Sequence, residues 1–480
     1  MEGFLMSGIA VFYRGEREMI EDSLSFLAHR GSEPRVLAAD REVGMGAVLS
    51  NAYEDDMNVF EGQGEYVVFD GFLRNCSDAP WPEKILSLHR KYGNRFIDRL
   101  DGSFAFAIHT AGETLIARDP LGLKPLYYCF INGSIACASE LKALTAFCSE
   151  VKVFPPGYYF SSIEGFKKYS SLEDLLTDES DARNEEEAAE LLWSSLEEAV
   201  EKRLSAVKSD AVVFLSGGLD SSCIAAVASS LSGSLRTFTV GSGDGEDPEY
   251  AREVSEYLGT DHREHTYDFD EMLEVLPEVI YHLESFDPPL VRSAIPNYLV
   301  SKLAADEGSS FVFMGEGADE LFAGYEYMKD LPTAESIDKE SMRITKNGYR
   351  SGFQRNDRMS LAFGIEFDVP FMDPSVLNLA FSIPAEWKIH GPEKTEKWIL
   401  RKAFENELPE SVVWRKKSKF SVGSGSSHLM KEYAEEMISD SELENERRDS
   451  GIRSKEELLY YRIFDDLFPC EGAIETVYRS

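Results

Sequence analysis

The sequence predicts a two-domain α/β protein: layered, mostly antiparallel sheet first, then a doubly wound parallel sheet. Three observations carry this. At 480 residues the chain is long for one hydrophobic core. Its first third alternates short strand-like runs with Gly, Asp and Asn turns. From about residue 186 the pattern changes to apolar strands separated by long helical segments. Domains are therefore drawn at 1–165 and 191–480, with a linker at 166–190.

In the first domain, strands are expected at Gly8–Tyr13, Glu65–Phe69, Ser103–Ile108 and Thr114–Ala117, in two layers with a few flanking helices. Residues 171–188 are acidic and lead into a helix. In the second domain, buried strands are expected at 211–215, 235–240 and 311–314, with the ligand site at their carboxyl ends. The tail from about 430, with Tyr460, Tyr461, Phe464 and Leu467, reads as a packing helix.

Bulk properties narrow the function. A hydrophobic content of 43% is globular, no apolar run is long enough for a bilayer, and no signal-peptide pattern opens the chain, so a soluble cytoplasmic protein is expected. A formal charge of −37 argues against nucleic acid or an anionic membrane as partner. Six cysteines without a CxxC pair or zinc-type spacing read as free thiols in a reducing compartment.

The most informative segment is Ser216-Gly217-Gly218-Leu219-Asp220-Ser221-Ser222, set between an apolar strand and a helix start. Glycines allow close backbone approach, and N–H groups with the positive end of the helix dipole favour an anion. Asp220 inside an anion site implies a bridging cation, for which Mg²⁺ on phosphate is the natural choice. No Gly-Lys-Ser/Thr follows, so this is not a Walker loop. A second strand end delivers Gly315-Glu316-Gly317-Ala318-Asp319-Glu320. Asp319 is expected to join Asp220 on Mg²⁺, and Glu316, between two glycines, to act as a base. Glu320 is read as a helix-capping acid.

The first loop is similar to the pyrophosphate loop of ATP pyrophosphatases. With Asp357-Arg358-Met359-Ser360, Gly364-Ile365-Glu366, Val369-Pro370-Phe371 and Trp414-Arg415-Lys416-Lys417, the second half resembles the synthetase domain of glutamine-dependent asparagine synthetases. His29-Arg30-Gly31, Leu100-Asp101-Gly102 and Arg118-Asp119-Pro120-Leu121-Gly122 match the amidotransferase skeleton of that family. The resemblance implies an N-terminal Ntn-type αββα sandwich and a C-terminal doubly wound α/β PP-loop domain. It also implies an ATP-dependent, AMP- and pyrophosphate-forming ligase that adenylates a carboxylate, aspartate or a related acid, and transfers an amine. On that pattern Val240 and Gly315 line the adenine pocket and Lys417 meets the α-phosphate. Arg292 and Glu366 face substrate, Glu316 takes the amine's proton, and the assembly allows a homodimer.

The first domain departs from the family. The N-terminal Cys nucleophile is matched by Ser7, behind six residues, and the Asn-Gly oxyanion pair by Asp70-Gly71. No arginine stands near Gly44-Met45-Gly46, and Trp81 occupies the place of an amine-binding aspartate. A dead glutaminase pocket follows, with free ammonia as nitrogen donor. In the second half, Asp368 replaces a family arginine and Pro288-Pro289-Leu290 replaces small hydroxyl residues, which puts aspartate in question. The alternatives are a β-lactam-synthetase-like enzyme closing an amide within one substrate, which Glu316 disfavours, and a non-catalytic nucleotide-binding partner.

Overall fold

A computed structural model describes the chain except residues 1–7, 32–33, 40–42, 50–51, 53–56, 76–78, 111, 178–181, 208–209, 244, 416–425 and 480. The first domain holds two six-stranded sheets. One runs through β1 (Gly8–Tyr13), β2 (Pro34–Ala39), β3 (Val43–Val48), β8 (Tyr127–Ile131), β9 (Ser134–Ala138) and β10 (Lys152–Val153), in the order β10-β8-β9-β1-β3-β2. The other runs through β4 (Val59–Gly62), β5 (Glu65–Leu73), β6 (Gly102–Thr110), β7 (Glu113–Arg118), β11 (Tyr158–Ser161) and β12 (Gly165–Lys168), in the order β12-β11-β7-β6-β5-β4.

Alternation along the strands builds four layers. Ile9 and Val11 of β1 meet Val68 of β5 and Ala105 and Ala107 of β6 between the sheets. The opposite faces, with Ala10, Phe12, Phe69 and Phe106, join the core that includes helix Arg17–Ser25 and helix Trp81–Tyr92.

After β12 the chain enters the 20-residue helix Glu185–Leu204, whose N-cap Asn184 accepts from the Glu187 N–H at 2.9 Å. Three glutamates in its first turn complement the helix dipole. The second domain is built on the expected parallel sheet: β13 (Val212–Phe214), β14 (Arg236–Ser242), β15 (Asp261–Tyr267), β16 (Phe311–Phe313) and β17 (Glu366–Asp368), ordered β15-β14-β13-β16-β17. From β13 the chain winds outward through β14 to β15, then returns to the other side of β13. The reversal between β13 and β16 opens a crevice at their carboxyl ends, and both singled-out loops begin there.

The tail forms helices Ser426–Met437, Asp440–Asp449, Lys455–Leu467 and Glu471–Thr476, with Tyr460 and Phe464 buried. No helix among the described residues is long and apolar enough to cross a membrane.

Candidate active site

The crevice is a cavity of about 800 Å³ lined by the two loops, by Val240 at the end of β14 and by Arg292, Arg355 and Lys397. Gly217 sits at φ +72°, where a Cβ would lie 2.6 Å from the Asp247 carbonyl oxygen. The turn therefore demands glycine. Behind it, the Ser216 N–H donates to Ser221 Oγ at 3.0 Å and the Ser222 hydroxyl donates to the Gly218 carbonyl at 2.8 Å. The loop is thus pre-folded by its own hydroxyls. No side chain caps helix Leu219–Leu231 at Gly218, which suits an anion at its start.

Gly315 brings the loops together: a Cβ there would sit 2.6 Å from the Ser221 nitrogen. That approach places Asp220 and Asp319 around one point, and Lys397 occupies it. The Lys397 ammonium meets both Asp220 oxygens at 2.6 Å and also pairs with Asp319. Burial disfavours its charge, but Asp220 and then Asp319 outweigh burial and hold its pKa above the ordinary lysine value. No group of three or more His, Cys, Asp or Glu able to hold a metal occurs among the described residues. Two carboxylates converging on a cation nevertheless suit Mg²⁺, which takes one or two carboxylates and fills its shell with phosphate oxygens and water.

Glu316 lines the cavity and forms an ion pair with Arg355, from helix Gly352–Leu361. Glu320 is buried, and burial followed by the Glu316 and Asp319 charges raises its pKa to about 7. The Tyr325 hydroxyl donates to it at 2.6 Å. It therefore belongs to the cavity wall, in addition to opening a short helix. Arg292 also lines the cavity, but its Nη1 donates to Glu456 of the C-terminal tail at 2.8 Å. Asp247, at the start of helix Asp247–Leu258, pairs with Arg415 at 3.0 Å, and its pKa is raised to about 6 by burial, against the pull of Arg415.

Glu366, expected to face substrate, and Asp368 do not line the cavity. Glu366 is at the domain interface, buried and paired with Lys124 of the first domain. Asp368 points to Arg203, 2.8 Å away, and not into the cavity. Both sit on β17, which runs beside β16 but carries their side chains toward partners outside the crevice. Pro289, by contrast, does line the cavity. Lys417 and Ser7 lie outside the described residues.

Asp70 is buried in β5, accepts from the Ser139 hydroxyl at 3.2 Å and Arg30 at 3.4 Å, and has the Lys124 ammonium 3.4 Å away. Gly71 is hemmed in by β6, where an added Cβ would fall 2.0 Å from the Ser103 carbonyl oxygen. Trp81 opens its helix, buried between Phe69 and Phe72 at ring distances of 5.3 and 5.5 Å.

Lys397 and Arg355 were not singled out by sequence. Lys397 stands in Thr395-Glu396-Lys397, which has no glycine-rich or paired-acid signature. Arg355 stands two residues before Asp357-Arg358, and charge clustering there was the available signal.

An asparagine synthase family model matches residues 191–342 and 329–478, and a glutamine amidotransferase domain model matches 66–160. A probable glutamine-hydrolysing asparagine synthetase of Schizosaccharomyces pombe is 37% identical over 434 residues, covering 83% of this chain and 77% of that protein. Its counterpart in Dictyostelium discoideum is 36% identical over 434 residues, with the same coverage. Asparagine synthetase B of Escherichia coli, also glutamine-hydrolysing by name, is 36% identical over 428 residues, covering 82% of this chain and 75% of its own.

Proposed function

Because the chain belongs to the asparagine synthase family, whose members are ATP-dependent, AMP-forming carbon–nitrogen ligases, we propose that it amidates aspartate or a related acid with free ammonia and not with glutamine. The observation that carries the ligase reading is the convergence of Asp220 and Asp319 on one point beside the Ser216–Ser222 loop. On this reading the first domain is a retained Ntn-type sandwich and the second a PP-loop domain.

The loop's N–H groups and helix start bind pyrophosphate, and Val240 and Gly315 flank the nucleotide. Asp220 and Asp319 would hold Mg²⁺, which would neutralise phosphate charge. Lys397, which pairs with the same two carboxylates, would give up that point to the metal and would supply a positive charge beside the bound phosphates. A carboxylate oxygen of the acid attacks the α-phosphorus, and pyrophosphate departs. Ammonia then attacks the acyl carbon, AMP leaves with the bonding pair, and Glu316, oriented by Arg355, takes the proton. The family pattern assigns Lys417 to the α-phosphate, where its charge would offset that of the departing pyrophosphate.

Ammonia as donor rests on the first domain. An oxyanion needs N–H donors, whereas Asp70 presents a carboxylate already engaged by Arg30, Ser139 and Lys124. Trp81 fills core and offers no acid to a glutamine amine. The Glu456 pair on Arg292 and the wall at Pro289 favour an acid related to aspartate over aspartate itself.

The test is pyrophosphate release from Mg-ATP across a panel of carboxylic acids, each with ammonium, with glutamine or with neither. Release with an acid plus ammonium and none with glutamine is expected. Turnover driven by glutamine overturns the ammonia assignment. Release from an acid needing no external amine points to intramolecular closure, and silence with ATP still bound points to a nucleotide-binding partner.

A further inference from the structure

Among the described residues, a cluster of buried charged side chains lies where the two domains meet, and Arg30 is part of it. Its side chain is wholly buried. Its guanidinium grips Asp357 of the second domain with two bonds, Nη1–Oδ1 at 2.8 Å and Nη2–Oδ2 at 3.2 Å, and reaches Glu140 at 2.8 Å. The adjacent Arg358 returns the contact, donating to the Ser139 carbonyl of the first domain at 3.1 Å and to Glu284 at 3.0 Å. Glu284 in turn accepts the Leu141 and Lys142 N–H groups, each at 2.9 Å.

Asp357 and Arg358 belong to helix Gly352–Leu361, and so does Arg355, which pairs with Glu316. Residues two apart project to nearly opposite sides of a helix. The side of this helix that carries Asp357 is therefore held by the first domain, while the opposite side presents Arg355 to the cavity. Buried ion pairs seldom add net stability, so stability alone does not account for Arg30. A two-pronged guanidinium–carboxylate pair does fix orientation. We infer that the first domain, through the Arg30–Asp357 pair, positions Arg355 against Glu316, making Arg30 a positioning residue for amide formation although it touches no substrate. The inactive pocket is thereby put to use as the mount for a residue of the neighbouring site.

This rests on the ligase reading, and two readouts separate the two claims. Adenylation alone is followed as acid-dependent exchange of labelled pyrophosphate into ATP, with the acid that gives release in the panel. The whole reaction is followed as amide formed with ammonium. In Asp357→Asn, amide formation should fall about tenfold or more while exchange keeps its starting rate, and Arg355→Met should show the same split. The apolar double variant Arg30→Met with Asp357→Leu removes the pair without stranding one charge, so a folding failure of either protein leaves the other. Equal losses in both rates, or none, overturn the inference. Independently of activity, a crystal structure of Asp357→Asn should show Arg355 displaced from Glu316, and an intact pair there overturns it as well. No exchange with any acid in the unaltered enzyme defeats the ligase reading and leaves the crystallographic outcome to decide the positioning.

Discussion

Lys397 keeps two carboxylates together that would otherwise repel across the cavity. Replacing it with Met should lower the melting temperature of the metal-free protein. Added Mg²⁺ should raise that temperature more in Lys397→Met than in the parent, because the parent ammonium competes for the same two acids. An equal Mg²⁺ effect in both would show that ammonium and metal do not share the point. Gly315→Ala tests the neighbouring contact. A Cβ placed 2.6 Å from the Ser221 nitrogen and 2.7 Å from the Asp220 carbonyl carbon forces the two loops apart. Equilibrium dialysis with Mg-ATP should show a loss of nucleotide binding on the order of tenfold, a cost of about 1.4 kcal/mol. Trp81 is a core residue in its present setting, so Trp81→Ala should cost about 3–5 kcal/mol in denaturant unfolding. Trp81→Asp should give no glutaminase activity.

Helix Glu185–Leu204 links the two sheet systems, and its cap is local and exposed. Asn184→Ala should therefore cost about 1 kcal/mol, read as a shifted urea midpoint at unchanged slope. This helix and the strands at Gly8–Tyr13, Glu65–Phe69 and Ser103–Ile108 were legible because periodicity and turn residues mark elements with one face in a core. β15 was not. Its sequence, Asp261-His262-Arg263-Glu264-His265-Thr266-Tyr267, is mostly polar because it is an edge strand with much of its surface in water. β17 was hidden differently, since two of its three residues are acids whose burial depends on Lys124 and Arg203, far away in sequence. The same limit applies to the site. Glycine-rich loops announce themselves locally, so Ser216–Ser222 and Gly315–Glu320 were legible. Lys397, Arg355 and Glu456 become visible only when the fold brings them to partners more than thirty residues distant. Glu366 was expected beside the substrate for the same reason, because its partner Lys124 lies 242 residues away in sequence.

At the scale of the whole molecule, surface charge and buried charge respond oppositely to solvent. The surplus of 86 acidic over 49 basic side chains makes the surface repel itself at neutral pH, and salt relieves this. The interface cluster is shielded from salt but not from protons. Burial opposes the charge of Asp357 and Glu140, yet Arg30 outweighs it at Asp357 and His29 and Lys142 outweigh it at Glu140, so both folded pKa values lie below the ordinary carboxylate range. Such groups stabilise the fold fully above their unfolded pKa, near 4, and that stability is lost as pH falls through the lower folded value. His29 and His282 are held low mainly by burial. Their contribution is complete above the unfolded value of about 6.5 and starts to fall below it. Melting temperature should therefore rise with NaCl at pH 7 and decline with acid from about pH 6, most steeply below about pH 4, where NaCl should not restore it. In Asp357→Asn one titrating acid is gone, so the steep limb below pH 4 should be shallower than in the parent when both are followed by scanning calorimetry. Parallel acid limbs would mean that the interface is not where acid acts, and that carboxylates elsewhere in the fold set the loss.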